Sequence, residues 1–137
     1  VSRVTPLINV DLLIKDERHR TLLTWREDAF HAPGWHVPGG IVRYKETLAD
    51  RIAAVARGEL GTGVRFEKQP LAINEIIDRS RADRGHFISL LFECALISPA
   101  DPGLICRGSS PRFAATVQVR CGNRGLATSY YRNFSSR

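Results

Sequence analysis

The residues best suited to chemistry lie in one stretch, 34–63, which combines a double glycine with an isolated acid. Gly39 and Gly40 follow an extended run, and glycines let the backbone approach a ligand closely while leaving carbonyls and amides free. Glu59 lies near the end of the amphipathic segment that comes next. The stretch therefore indicates a candidate ligand site formed by the glycine pair and Glu59.

The segment 47–60 has the apolar spacing of a helix, and this spacing predicts where Glu59 points. Thr47 is the expected N-cap, and Gly61 supplies the stop at the other end. The predicted buried stripe recurs at steps of four, three and four: Leu48, Ile52, Val55 and Glu59. Glu59 thus falls on the buried edge of the last turn, where the helix dipole disfavours a negative charge by about 0.3–1 kcal/mol.

A carboxylate in this position needs a compensating cation, which either an arginine or a divalent metal provides. The alternative is a solvated glutamate at the margin of the stripe, followed by an ordinary Leu-Gly helix stop. Glu46, near the start of the helix, is expected to brace the loop against Arg43 or Arg51 rather than to bind a metal.

The elements around this stretch predict a mixed β-sheet with a helix packed on it, an α/β or α+β domain. The segment 30–34 reads as a loop, 35–38 as a short extended stretch and 78–85 as a charged loop. Asp11 stands inside the first apolar run. The expected strands are 4–14, 21–25, 64–66, 71–77, 86–97 and 114–119.

Length and composition bound the protein class. The 137 residues, 43% hydrophobic and 25% charged, fit one globular domain. The net charge of +6 arises entirely after Asp101, where six arginines and no acidic residue occur. We therefore do not expect nucleic-acid binding, since no basic stripe with interleaved aromatic residues accompanies the charge. The basic segment 98–137 is atypical, and its composition fits a divergent surface arm, a truncation or a disturbed reading frame.

Three cysteines without CxxC spacing (Cys94, Cys106, Cys121) make a disulfide framework or a cysteine zinc site improbable. No apolar run approaches the ~20 residues that a membrane helix needs, and no signal-peptide pattern is present. We therefore expect a cytoplasmic protein that does not bind membranes.

The glycine–glutamate stretch resembles the Nudix box, G-x5-E-x7-R-E-U-x-E-E-x-G-U, in register from Gly40 to Gly61. Glu46 and Glu59 match acidic positions of that box, whereas Ala54, Val55 and Gly58 occupy its arginine and two further glutamate positions. The segment 35–39 is similar to the W-x-x-P-G that precedes such boxes.

The shortened acidic set resembles the GDP-mannose mannosyl hydrolase (GDP-mannose glycosyl hydrolase) branch, whose box reads approximately G-G-x5-E-T-L-x10-E-L-G. The upstream segment 5–7, Asp11 and Arg26 also match positions of that branch. The resemblance implies a Nudix-type α/β/α sandwich with a mixed sheet, spanning 1–137 as a single domain. It further implies a homodimer that hydrolyses a nucleotide-sugar, releasing GDP and the sugar.

The site residues implied by this resemblance are few. The Gly39 carbonyl and Glu59 would hold Mg2+, and Arg26 would stabilise the charge that develops on the leaving diphosphate. Asp11 would position the substrate or a partner side chain. Arg43 would bind substrate in place of the branch's arginine just after the glycine pair, where this chain has Ile41.

The branch takes a metal ligand and a general-base histidine from a late Gln-His pair, but no histidine follows His86 here, and Val119 follows Gln118. Loss of a general base costs about 100- to 10,000-fold in rate. Two alternatives therefore stand beside the hydrolase: a Nudix-shaped module that binds a nucleotide or a protein without turnover, and an ordinary nucleoside-diphosphate pyrophosphatase.

Overall fold

The computed structural model describes residues 4–28, 31–101 and 112–114, with backbone only for 25–28, 31–35 and 112–114. A five-stranded mixed sheet is built on the long strand β7 (His86–Leu96), which lies parallel to β1 (Leu7–Ile14). On the other side of β7, β5 (Val64–Phe66) and β6 (Ala72–Ile77) pair antiparallel with its two halves. The short strand β4 (Gly39–Ile41) forms the opposite edge, antiparallel to β1.

A second, antiparallel sheet follows the order β3–β2–β8, comprising His31–His36, Thr21–Asp28 and Arg112–Ala114. The predicted loop at 30–34 is wrong, because β3 runs through Pro33 and Gly34. Proline lacks the N–H that an inner strand must donate, but β3 is an edge strand of the described sheet and tolerates it. The first strand begins only at Leu7, after Pro6, and the strand expected at 114–119 is described only as Arg112–Ala114.

The helical layer covers one face of the mixed sheet. Helix α1 (Leu48–Val55) begins at the predicted N-cap, Thr47, whose side chain accepts a hydrogen bond from the Asp50 N–H in a capping box. Gly61 ends the helical segment with a left-handed φ of 70°, as predicted.

The core lies between this helix and alternate residues of β1. Its buried members include Val10, Leu12 and Ile14 of β1, Leu22 of β2, Phe92 and Cys94 of β7, and Ile52, Val55, Ala56 and Leu60 of the helical segment. Because side chains alternate along a strand, the β1 residues between these positions face the other side of the sheet. The predicted α/β architecture, a mixed sheet with a helix packed on it, is confirmed.

The helix does not remain α-helical to its end. Residues Ala56–Leu60 form a π turn, with the wider i to i+5 hydrogen bonding. The predicted stripe is wrong at its start, since Leu48 is 37% exposed, whereas Ile52 and Val55 are buried as predicted. Ala56 and Leu60, which share the apolar helical spacing, are also fully buried. Within the described residues, no helix is long and apolar enough to cross a bilayer.

One buried hydroxyl provides a test of this packing. Thr21 is 1% exposed, and its Oγ1 has no hydrogen-bond partner among the residues that the structure describes. An unsatisfied buried hydroxyl costs about 1–3 kcal/mol. We expect Thr21→Val to raise the free energy of unfolding by about 1 kcal/mol in urea titrations. The control, Thr62→Val, removes a hydroxyl that bonds Ser98 Oγ at 2.5 Å and should lower it. A less stable Thr21→Val variant would contradict this account of the core.

Candidate active site

The glycine pair of β4 is enclosed between β1 and the helix. Gly39 pairs with Asp11 of β1, and a Cβ added at Gly39 would lie 2.7 Å from the Val10 carbonyl oxygen and would overlap Asp11 Oδ1. A Cβ added at Gly40 would lie 2.9 Å from Val55 Cγ2 and 3.3 Å from Arg51 Cδ. Both positions require glycine because neighbouring groups already occupy the space of a side chain.

Asp11 is a buried carboxylate on the face of β1 that points away from helix α1. It is 6% exposed, and its Oδ2 accepts hydrogen bonds from Asn9 Nδ2 at 2.6 Å and from Ser89 Oγ of β7. Neutral hydrogen-bond donors of this kind stabilise a buried acid. Sequence reasoning named Asp11 but missed its partners: Asn9 shares a face of β1 with it by strand alternation, and Ser89 reaches it only through the pairing of β1 with β7.

Glu59 lies in the π turn, one turn beyond the point at which Val55 contacts the glycine pair. The side chain is partly buried and interacts with its surroundings, and its Oε2 atom is buried without a hydrogen bond. The wider π spacing means that Glu59 does not stack above Val55 as α-helical periodicity predicted. Helix α1, which precedes this turn, is the part of the helical segment that packs against β4, through Val55 and Arg51 at Gly40.

Glu46 closes the loop between β4 and the helix. Its two oxygens accept hydrogen bonds from Arg51, at 2.9 Å from Nε and 2.6 Å from Nη2, and Oε2 also accepts one from the Arg43 N–H at 2.9 Å. These contacts lower the pKa of Glu46 to about 2. The hydrogen bonds from the Arg51 side chain are the main cause, and the hydrogen bond from the Arg43 N–H is the second. The expectation that Glu46 braces the loop is confirmed, with the Arg51 side chain and the Arg43 N–H as its partners.

The remaining predicted residues are less closely tied to this centre. The Arg43 side chain is exposed, and Arg26 belongs by its backbone to β2, opposite Gly34, while its side chain lies outside the described residues. Gln118 is likewise outside them. His86 pairs with Glu75 at 3.1 Å. It stands about 16 Å along the sheet from the level of Asp11, taking ~3.3 Å per residue, and so does not replace the missing base.

The donor chemistry of this centre fits a magnesium ion that keeps most of its water. No cluster of three or more His, Cys, Asp or Glu side chains occurs in the described part of the chain, so those residues form no all-protein cage. The oxygen ligands that this centre would contribute are the partly buried Glu59 carboxylate and the backbone carbonyl of Gly39. Magnesium is commonly bound through one or two carboxylates together with water and substrate phosphates.

The fold and the enclosed glycine pair define a Nudix-fold domain. A MutT protein from Methanosarcina mazei Go1 superposes with a TM-score of 0.68 at 20% identity, covering 97% of this chain and 93% of that one. A Nudix hydrolase from Nitrosomonas europaea gives a TM-score of 0.61 at 18% identity, covering 72% and 63%. The resemblance to Nudix proteins is thereby confirmed at the level of the fold.

In sequence, the chain is similar to the low-salt glycan biosynthesis protein Agl8 of Haloferax volcanii, with 37% identity over 94 residues. The match covers 66% of this chain and only 60% of the length of that protein. No protein-family model matches the chain.

Two glycine substitutions test the enclosure of β4. Gly39→Ala should lower the free energy of unfolding by about 1–3 kcal/mol, because the new methyl group meets the Val10 carbonyl and displaces Asp11. The matched control is Gly58→Ala in the π turn, where an added Cβ meets nothing within 4 Å. That variant should gain about 0.5–1 kcal/mol. Equal effects in chemical denaturation would contradict the packing described here.

The Glu46–Arg51 pair predicts a specific acid sensitivity. The folded-state pKa is about 2, below the ordinary 4.5, so the stabilisation is complete above pH 4.5 and is lost as the pH falls towards 2. The Glu46→Gln variant should therefore have a lower melting temperature than the unmodified protein at pH 6. Between pH 4.5 and 2 its melting temperature should fall by less than that of the unmodified protein. Glu67→Gln, at an exposed position, should keep the unmodified protein's profile. Identical profiles for all three proteins would show that the pair contributes nothing.

Proposed function

We propose that this chain is a magnesium-dependent Nudix hydrolase of a nucleotide-sugar, with GDP-mannose or GDP-glucose as the leading substrates. The observation that carries the proposal is the partly buried Glu59 at the end of the helical segment, one turn after Val55, which packs against Gly40. The relative from Haloferax volcanii supports the substrate class, because its name places it in glycan biosynthesis. Glycan assembly generally consumes nucleotide-activated sugars.

In this proposal Glu59 and the Gly39 carbonyl hold Mg2+, which supplies charge neutralisation for the leaving diphosphate. Arg26 contributes a further positive charge to the same leaving group, and Arg43 binds substrate from the loop. Asp11 acts as a positioning residue beneath Gly39. Water attacks the anomeric carbon, and the bond between that carbon and the diphosphate oxygen breaks to give GDP and the free sugar. By the same resemblance, we propose a cytoplasmic homodimer.

The second candidate is a Nudix-fold module that binds a nucleotide or a protein without turnover. It is favoured by the absence, in the described residues, of a cluster of three metal-binding side chains, and by the absence of any histidine in the sequence after His86. An ordinary nucleoside-diphosphate pyrophosphatase is the third. The reaction products distinguish all three.

Incubation with GDP-mannose and Mg2+, followed by chromatography of the products, tests the proposal. GDP with free mannose is the expected result. GMP with mannose phosphate would assign a pyrophosphatase, and retained but intact nucleotide-sugar would assign the binding module.

Glu59→Gln should reduce the Mg2+-dependent turnover by about 100- to 1,000-fold, because it removes one electrostatic element of leaving-group stabilisation. The matched control is Glu67→Gln, which removes an exposed carboxylate elsewhere and should retain full activity. Unchanged turnover in Glu59→Gln would refute the role of Glu59 as a metal ligand.

A further inference from the structure

A polar group lies on the face of the mixed sheet opposite helix α1, where an apolar layer would be the ordinary choice. Val10 and Leu12 of β1 pack towards the helix, so Asn9 and Asp11 face the other way. Strand register sets Ser89 of β7 directly beside Asn9. We call Asn9, Asp11 and Ser89 the Asp11 cluster.

The cluster fixes one oxygen of the carboxylate. Asn9 Nδ2 donates to Asp11 Oδ2 at 2.6 Å, and Ser89 Oγ donates to the same atom. One donor comes from the strand that carries Asp11 and the other from the neighbouring strand. Ser89 is fully buried, so bulk water does not compete with Asp11 for its hydroxyl. Together the two donors restrict the rotation of the Asp11 side chain.

The other oxygen of Asp11 lies against the glycine pair. A Cβ placed at Gly39 would overlap Oδ1 and would lie 3.1 Å from Asp11 Cγ. The Asp11 carboxylate thus fills the space that a side chain at position 39 would occupy. The preceding peptide is fixed as well, since the Leu12 N–H donates to the Pro38 carbonyl at 2.8 Å. Gly39 is thus bounded by the Asp11 carboxylate at its Cα and by this hydrogen bond at the peptide before it.

We propose that Ser89 and Asn9 are positioning residues for the metal site, acting through Asp11 on the carbonyl of Gly39. This inference rests on the proposed function, because it takes the Gly39 carbonyl as a ligand of Mg2+. Partners of this outer kind orient a ligand without touching the ion, and their loss commonly weakens metal affinity about 10- to 100-fold. The cluster gives Asp11 a defined task that requires no contact with substrate.

Metal affinity measured apart from turnover tests the inference. Mn2+ replaces Mg2+ as the probe, GDP is present, and free Mn2+ is followed by its electron paramagnetic resonance signal. Ser89→Ala should weaken Mn2+ binding about 10-fold or more. Asn9→Ala removes the second donor from a less buried position and should weaken it in the same direction, which keeps the test decisive if Ser89→Ala unfolds.

The control variant is Asn74→Leu. Asn74 lies opposite Ser89 on β6 and is 5% exposed, and within the described part of the chain its Nδ2 has no hydrogen-bond partner. Replacing it alters the same row of the sheet without removing a donor to Asp11, so Mn2+ affinity should not change. A loss equal to that of Ser89→Ala would assign the effect to general sheet packing and overturn the inference.

A double-mutant cycle identifies the route. If Ser89 acts through Asp11, Ser89→Ala should weaken Mn2+ binding much less in an Asp11→Asn background than in the unmodified protein. Fully additive losses would overturn the inference.

Glu59→Gln separates this inference from the proposed function. Lost Mn2+ binding in Glu59→Gln together with normal binding in Ser89→Ala and Asn9→Ala would refute the positioning role alone. Normal binding in Glu59→Gln would refute the metal site itself.

Discussion

The contact between the Asp11 carboxylate and the Cα of Gly39 is the constraint on which the rest of this centre depends. Where β4 pairs with β1, the Asp11 carboxylate fills the space that a side chain at position 39 would otherwise occupy. Because Asp11 is buried, its charge is tolerated only with donors in place, and Asn9 and Ser89 supply two of them. Position 39 therefore has to be glycine, and position 11 has to carry a short side chain that accepts hydrogen bonds.

The loop and helix that follow are fixed by a second polar contact. Arg51 extends its aliphatic stem over Gly40 while its guanidinium group grips Glu46. One side chain thus packs β4 against the helix and closes the intervening loop. This use of Glu46 has a chemical consequence, because both of its oxygens accept hydrogen bonds from Arg51. Glu46 is therefore held by Arg51, whereas Glu59, the other acid that matches the Nudix box, lies in the π turn.

The sequence predicted the parts of the structure that are local in origin. The Thr47 cap, the Gly61 stop and the strand identity of 64–66 follow from short-range spacing and were correct. Two features were missed because they depend on long-range contacts. The sequence of Pro33 and Gly34 indicates a loop, yet both residues lie in β3. Pro33 has no N–H to donate, but β3 is an edge strand of the described sheet, where proline is tolerated. The hydrogen bond from Ser89 to Asp11 depends on the parallel pairing of β1 with β7, which no local pattern specifies. The π turn was also unpredictable, since its residues fit α-helical spacing equally well.

A site with so few protein ligands has a thermodynamic consequence under the proposed function. One carboxylate and one backbone carbonyl satisfy only part of the oxygen coordination that magnesium requires, so water and substrate phosphates must supply the remainder. Glu59 also lies at the helix end whose dipole repels its charge, which makes the carboxylate better neutralised when a cation is bound. Metal and diphosphate should then bind with positive coupling, each raising the affinity for the other by the same factor. Gly58 occupies a further glutamate position of the Nudix box, and a Cβ added there would meet nothing within 4 Å. A side chain would therefore fit at this position, so lack of space does not explain the small number of protein ligands in the proposed site.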